Sequence, residues 1–372
     1  MRITIVQGAF MPVPPIFGTS VEKIWFALGQ EFVRRGHQVT HISRHVPRLE
    51  PEEVVEGVHH IRVPSHDASR SLVRLKWRDL LYSRRALRVL PDADILVTNT
   101  FWFPILAPAE QKGRLYVHIA RYPKGQMRFY HKAARLQTVS TVIRNAICRE
   151  VPQLAHRVKV IPNFVSQQAL APVAHQRDRC ILYVGRLHPE KGVDLLIEAF
   201  ARLLAKGFRD WRLRLVGPWE EAQGGGGGEY FRGLRNKSRG IEQFVEWIGP
   251  VFDAERLKSY YQQSSFFVYP SLAGRGEAFP LAPLEAMAEG CPPVVSSLEC
   301  FRDYIRSESN GWTFDAQSGQ KVESLVATLE QVLRNEQMIR EVRDNALRTA
   351  EQFTLPKIAD RYLNDFQELM NQ

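Results

Sequence analysis

Cysteine, long apolar runs and the glycine signature of a dinucleotide fold are all scarce or missing in this chain of 372 residues. Cysteine occurs four times, at Cys148, Cys180, Cys291 and Cys300. The spacing is not that of a metal site, so reduced thiols in a cytosolic protein are expected, and neither a metal nor a cofactor is. No run approaches the roughly 20 apolar residues that span a bilayer. The opening ITIV is short and breaks at once into the turn-rich GAFMPVPP, so no secretory leader is expected. No G-x-G-x-x-G follows the first strand of either half, which weighs against a dehydrogenase.

What is present is the composition of a soluble globular protein, 44% hydrophobic and 24% charged. The length favours two domains. The net charge of +10 is unevenly placed. Residues 1–175 hold 25 basic and 12 acidic side chains, a balance of +13, and the remainder carries −3. Such asymmetry points the first half at an anionic partner: a nucleic acid, a membrane surface or an acidic substrate.

Strand-like and helix-like segments alternate through both halves. In the first, RITIVQG, HQVTHIS, GVHHIRV, ADILVTN, RLYVHIA and VKVIP read as buried strands, with a helix from Ser20 to Arg35 that stops at Gly36. In the second, CILYVG, WRLRLVG, QFVEWIG, SFFVYPS and PPVVSS are strands separated by helical segments. Alternation of this kind predicts two α/β domains with parallel, doubly wound sheets: residues 1–165, a linker over 166–178, and residues 179–354. Five glycines, Gly224 to Gly228, read as a mobile surface insert before a helix.

Two constellations carry chemistry. In YVGRLHPEKGVDLL, residues 183–196, a strand ends at Gly185, a loop presents Arg186, and Lys191 lies near the next helix start. Ligands of open α/β sheets bind beyond the carboxyl ends of strands, where helix N-termini attract phosphate and two cations would clamp a diphosphate. For an arbitrary pair, solvated loop charges are the plainer reading. In GRGEAFPLAPLEAMAEG, residues 274–290, Pro280 and Pro283 break any helix through the whole stretch. Glu277 then falls in a loop, the helix starts near Pro283 and stops at Gly290, and Glu285 sits early in it. Paired carboxylates also suggest a glycosidase, but that chemistry leaves Arg186 and Lys191 without a role.

Together the two segments resemble the retaining GT-B glycosyltransferases of the large group often called family 4. The likeness covers the whole second half closely and the first more weakly, through SVEKIWFALGQEFVRRGHQVTHIS, TVSTVIRNAI and VIPNFV. It implies two Rossmann-like domains facing across a cleft, with the final helix, residues 355–372, crossing back to the first. It also implies transfer of a sugar from a nucleotide-diphosphate donor to an acceptor hydroxyl with retention, without a metal ion. By the same resemblance, Arg186 and Lys191 take the donor diphosphate, Glu277 the donor sugar and Glu285 the ribose hydroxyls. Gly185 and the backbone at Phe279, Pro280 and Leu281 line the phosphates, Gly18 lets the first loop approach the donor, and His118 lies near the transferred sugar. Alone, His118 in an apolar strand reads as a core histidine. The chain departs from the family pattern at Pro280, where glycine is common, at Gly18, which lacks a second glycine, and at LECFRDYI, where Asp303 stands in for a glutamate.

Residues 70–90 have an amphipathic pattern, with Arg74, Arg78 and Arg85 among six arginines on one side and leucines on another. Such a helix either rests on anionic lipid or packs on the sheet with a solvated arginine face. Arg121, Lys124 and Arg128 begin a second basic series that would share a face if residues 124–135 were helical. These residues are expected to meet a lipid-linked or otherwise anionic glycan acceptor, at the inner membrane surface. No nucleic-acid motif accompanies them. A non-catalytic glycan-binding or scaffold relative is the alternative, against which the full set Arg186, Lys191, Glu277 and Glu285 argues.

Overall fold

The computed structural model describes residues 1–17, 19–108, 111–165 and 177–372; Gly18 and most of the linker expected at 166–178 lie outside them. The chain forms two compact units, residues 1–164 with 355–372, and residues 165–354.

The first unit is built on eight strands: β1 (Arg2–Val6), β2 (Gln38–Arg44), β3 (Glu52–Val55), β4 (Val58–Val63), β5 (Ile95–Thr98), β6 (Arg114–Ile119), β7 (Arg135–Thr138) and β8 (Val158–Val160). Their order is β3-β4-β2-β1-β5-β6-β7-β8, and only β3 runs antiparallel to its neighbour. Sequence reading misses β3, and the strand it reads in TVSTVIRNAI reaches only the last residue of β7, Thr138. β3 is a short edge strand, EEVV, turned into β4 by a hairpin with left-handed backbone at Glu56 and Gly57. β7 is disguised because Arg135 and Gln137, polar residues, occupy buried positions.

Four helices join these strands: α1 (Ser20–Arg34), α2 (Leu72–Arg88), α3 (Phe103–Leu106) and α4 (Thr141–Glu150). α1 and the final helix pack Trp25 against Tyr362 and Phe32 against Phe366, with ring centroids 5.2 and 5.9 Å apart. Tyr116 on β6 meets Phe366 edge-on and donates to Asp365 Oδ2 at 2.8 Å. The buried Asp365 also faces Arg135 at 2.7 Å, which gives the final helix a charged anchor as well as an aromatic one.

Both basic segments differ from expectation. The buried stripe of α2 is Asp79, Tyr82, Ser83 and Ala86, not the leucines, and Leu72 lies in solvent. Asp79 fixes this phase, because its carboxylate accepts from the Trp102 amide at 2.9 Å. Arg78 and Arg85 bend over to donate to the carbonyls of Asp67 and Pro64, at 2.7 and 2.8 Å, so they tie down a loop. No helix spans 124–135: Gly125 is left-handed, and Glu150 accepts from the amides of Gly125 and Met127. Arg121 and Lys124 are exposed on a loop and Arg128 on a single 3-10 turn, Met127–Phe129, while Arg135 is buried in β7.

The second unit has six strands, β9 (Asp178–Val184), β10 (Arg212–Val216), β11 (Val245–Gly249), β12 (Ser264–Tyr269), β13 (Pro293–Ser296) and β14 (Trp312–Phe314). All are parallel, in the order β11-β10-β9-β12-β13-β14. This is the doubly wound Rossmann order, in which the direction of winding reverses between β9 and β12. Helices α5 (Val193–Ala205), α6 (Gly227–Lys237), α7 (Ala254–Gln263), α8 (Leu281–Ala288), α9 (Lys321–Leu333) and α10 (Glu336–Ala350) accompany the sheet, and the final helix of the first unit is α11 (Leu355–Met370). The glycine run is no loose insert. The amides of Gly225, Gly226 and Gly227 donate to Glu220, Leu187 and Trp219, and a Cβ at Gly225 would lie 2.2 Å from the Trp219 backbone.

In the first unit His41 on β2 and His60 on β4 stack with centroids 5.6 Å apart, both buried and with no hydrogen-bond partner on either ring nitrogen. Burial, and then their mutual charge and Arg62, push His41 well below its ordinary value. Burial and Arg62 bring His60 to about 4, and burial brings His118 to about 4. An unfolded histidine titrates near 6.5, so between about pH 6.5 and 4 the unfolded chain takes up protons that the folded chain refuses. Stability is therefore expected to fall as pH drops through that window, by on the order of 2 kcal/mol per buried histidine at pH 5. Urea midpoints at pH 7.5 and pH 5 check this; equal midpoints would contradict it.

Candidate active site

The winding reversal in the second sheet places the ends of β9 and β12 side by side, and the residues just beyond them form a cluster. β12 ends at Tyr269 and is followed by Pro270 and Ser271; after β9 come Gly185, Arg186 and the turn that leads into α5. Gly192 caps α5 in the left-handed conformation, φ 66°, and a Cβ there would stand 2.3 Å from the Pro270 carbonyl oxygen. Only glycine permits this approach. The two loops are then stitched by the Leu272 amide, which donates to the Glu190 carbonyl at 2.8 Å.

Lys191 and Glu277 meet inside this junction, each only 6% exposed. Lys191 Nζ donates to Glu277 Oε1 at 2.5 Å, and the same oxygen accepts from Ser271 Oγ at 2.8 Å and from Tyr269 OH at 3.0 Å. Burial, and then the charge of Glu277, holds the Tyr269 hydroxyl well above its usual range, so it keeps its proton and donates. Among the described residues nothing bonds to Glu277 Oε2. One carboxylate oxygen is thus fixed by three donors, while the other remains available to a ligand.

Arg186 sits at the rim. Its Nη1 donates to the Gly224 carbonyl at 2.7 Å and its Nη2 to Glu190 at 2.8 Å, which aligns the guanidinium beside the glycine run. The start of α8 supplies backbone donors. The helix begins at Leu281, with Pro283 in its first turn and left-handed Gly290 beyond its end. Among the described residues, no acceptor meets the amides of Phe279 and Leu281. Pro280 has no N–H to offer; its carbonyl accepts from Tyr304 OH at 2.8 Å, and Phe279 packs between Tyr304 and Phe353. Glu285, half-buried in the next turn, accepts from Tyr261 OH at 3.4 Å.

The structure thus brings Lys191 and Glu277 into contact and places Arg186, Phe279, Pro280, Leu281 and Glu285 in the same unit. His118 belongs to the other unit and is 4% exposed, with Nδ1 2.5 Å from Gln137 Oε1, the Trp25 ring edge-on, and Nε2 without a partner. Gly18 is not among the described residues. Sequence reading misses Tyr269 and Ser271. Their signal is their place, directly at and after the end of the strand flanking the winding reversal.

Two doubly wound Rossmann-like units with such a junction define a GT-B glycosyltransferase fold. A family model described as Glycosyl transferases group 1 matches residues 168–349, and one described as Glycosyltransferase Family 4 matches residues 21–168. The two together run from 21 to 349, and the chain belongs to the group 1, family 4 glycosyltransferases. It is 25% identical over 363 residues to a phosphatidyl-myo-inositol mannosyltransferase of Mycobacterium leprae, covering 91% of this chain and 90% of that one. It is 28% identical to an uncharacterised glycosyltransferase of Haemophilus influenzae over 51% of this chain, and spans about half, 49%, of that relative's length. Among solved structures, it is similar to a sucrose-phosphate synthase of Thermosynechococcus elongatus over 99% of each chain, with TM-score 0.80 and 18% identity. It is also similar to the Anabaena protein HepE in complex with UDP-glucose, over 99% of this chain and 100% of that one, with TM-score 0.69 and 17% identity. At these identities the structural likeness concerns the fold.

Gly192→Ala tests the junction. The left-handed backbone alone costs a side chain roughly 1–2 kcal/mol, and the Pro270 carbonyl blocks the space. The melting temperature is expected to fall by on the order of 4 °C or more. An unchanged melting curve would contradict the close approach.

Proposed function

We propose that this protein transfers a glycosyl group from a nucleoside-diphosphate sugar to an acceptor hydroxyl, with retention of anomeric configuration. The observation that carries the reading is the buried Lys191–Glu277 pair at the carboxyl ends of β9 and β12, beside unpartnered amides at the start of α8. Lys191 and Arg186, with the amides of Phe279 and Leu281, take the diphosphate and offset the charge that grows on it as the bond to the anomeric carbon breaks. This gives the charge-offsetting role to side chains rather than to a metal ion. Glu277 Oε2 accepts from a hydroxyl of the donor sugar, and Glu285 from the ribose. The acceptor oxygen forms its bond to the anomeric carbon on the face the phosphate leaves, and the departing phosphate oxygen takes the acceptor's proton. The Anabaena protein's complex with UDP-glucose supports a nucleotide-sugar donor.

The name of the mycobacterial relative supports a glycolipid acceptor, and the surface of α2 supports a membrane one. Leu72, Val73 and Trp77 are 75%, 80% and 58% exposed in its first turns, alongside exposed Arg70 and Arg74. Apolar side chains ringed by arginines suit an anionic lipid interface, where each arginine adds about 1 kcal/mol. A lipid-linked acceptor would be met there, in glycan or glycolipid synthesis.

Two outcomes check this reading. Glu277→Gln and Lys191→Ala are each expected to lower sugar transfer from the donor found by a nucleotide-sugar thermal-shift screen by about a hundredfold or more. Circular dichroism confirms that each variant is folded, and unchanged transfer in both would refute the site. In sedimentation with anionic vesicles, Leu72→Ser/Trp77→Ser is expected to lose binding that the parent chain shows. No enrichment of the parent on anionic over neutral vesicles would remove the membrane surface.

A further inference from the structure

The first unit carries a second cationic cavity that the donor chemistry does not use. It lies at the amino ends of β6 and β7, the opposite edge of the sheet from the carboxyl ends where ligands of such folds bind. Arg114 opens β6 and Arg135 opens β7. Because Tyr116 and Arg135 are register partners and side chains alternate along a strand, Arg114, Tyr116 and Arg135 share the sheet face covered by α11. Lys132 and Arg157 complete the cationic wall, with His156 beside them and Leu369 of α11 as an apolar side, around a volume of 320 Å³.

The charges on this wall are unevenly satisfied. Asp365 and Glu368 pair with Arg135 and Lys159, and Arg157 is spent on the carbonyls of His131 and Ala133. Arg114 and Lys132 have no acidic partner among the described residues. Arg135 is 7% exposed, and among the described residues its Nε–H has no acceptor. A guanidinium donor buried without a partner weakens the fold, and the same side chain lines the cavity. Strand rise puts Arg114 about 13 Å from His118 along β6, so the cavity is separate from any sugar contact there.

We infer that this cavity is a binding site for a soluble phosphate monoester, distinct from the donor diphosphate site. The cations select a compact dianion, and the volume is within the range of small-ligand pockets, with room for a sugar-sized body beside the phosphate.

Thermal shift of the full chain tests it, with inorganic phosphate and glucose 6-phosphate as probes and potassium chloride at matched ionic strength as control. Both probes are expected to raise the melting temperature, the ester at lower concentration, in the parent and equally in Arg186→Ala/Lys191→Ala. In Arg114→Gln/Lys132→Gln, at one half-buried and one exposed position, the apparent affinity is expected to fall tenfold or more. A shift retained by Arg114→Gln/Lys132→Gln would overturn the site, and one lost in Arg186→Ala/Lys191→Ala would assign the anion to the donor loops. An equal shift with chloride would reduce the effect to screening, and an ester no tighter than inorganic phosphate would overturn the ligand class.

Discussion

An ammonium and a carboxylate, both more than nine-tenths buried, are held together where the winding of the second sheet reverses. Burying such a pair repays its desolvation only when the remaining bonds are well made. Here Ser271 and Tyr269 add two donors to the same oxygen, and the Tyr269 ring lies 5.5 Å from the ammonium. A fold needing only stability would gain as much from apolar residues in these positions. Under the proposed function the cost has a purpose: Lys191 and Glu277 are oriented before a diphosphate and a sugar bind.

Backbone proximity makes the pair possible. Parallel strands bring the ends of β9 and β12 together, but side chains would keep the loops apart. Gly192 removes that obstacle against Pro270, and Gly217 does the same behind it, where a Cβ would fall 1.9 Å from the Gly185 carbonyl oxygen. The glycine run then closes over Arg186 through the Gly224 carbonyl. Composition that looks like a linker is here a tightly packed wall.

Much of this was legible in the sequence. Apolar runs such as CILYVG and SFFVYPS announce buried parallel strands, and the Pro and Gly punctuation around Glu277 and Glu285 fixes the start and end of α8. The basic segments were not legible, because helical periodicity cannot say which side chains the tertiary structure recruits. Asp79 turned α2 by bonding the Trp102 amide, and Arg135 left its apparent helical series to pair with Asp365. Ser271 and Tyr269 escaped notice because their role comes from strand order, which no local pattern encodes. The glycines misled for the opposite reason: close packing and flexibility call for the same residue.

The most direct measurement is a crystal structure of the protein with a nucleoside diphosphate bound. The account predicts the diphosphate at the carboxyl ends of β9 and β12, within hydrogen-bond distance of Lys191 and of the Phe279 and Leu281 amides, with the ribose at Glu285. A diphosphate bound elsewhere, with those amides and Lys191 untouched, would contradict it.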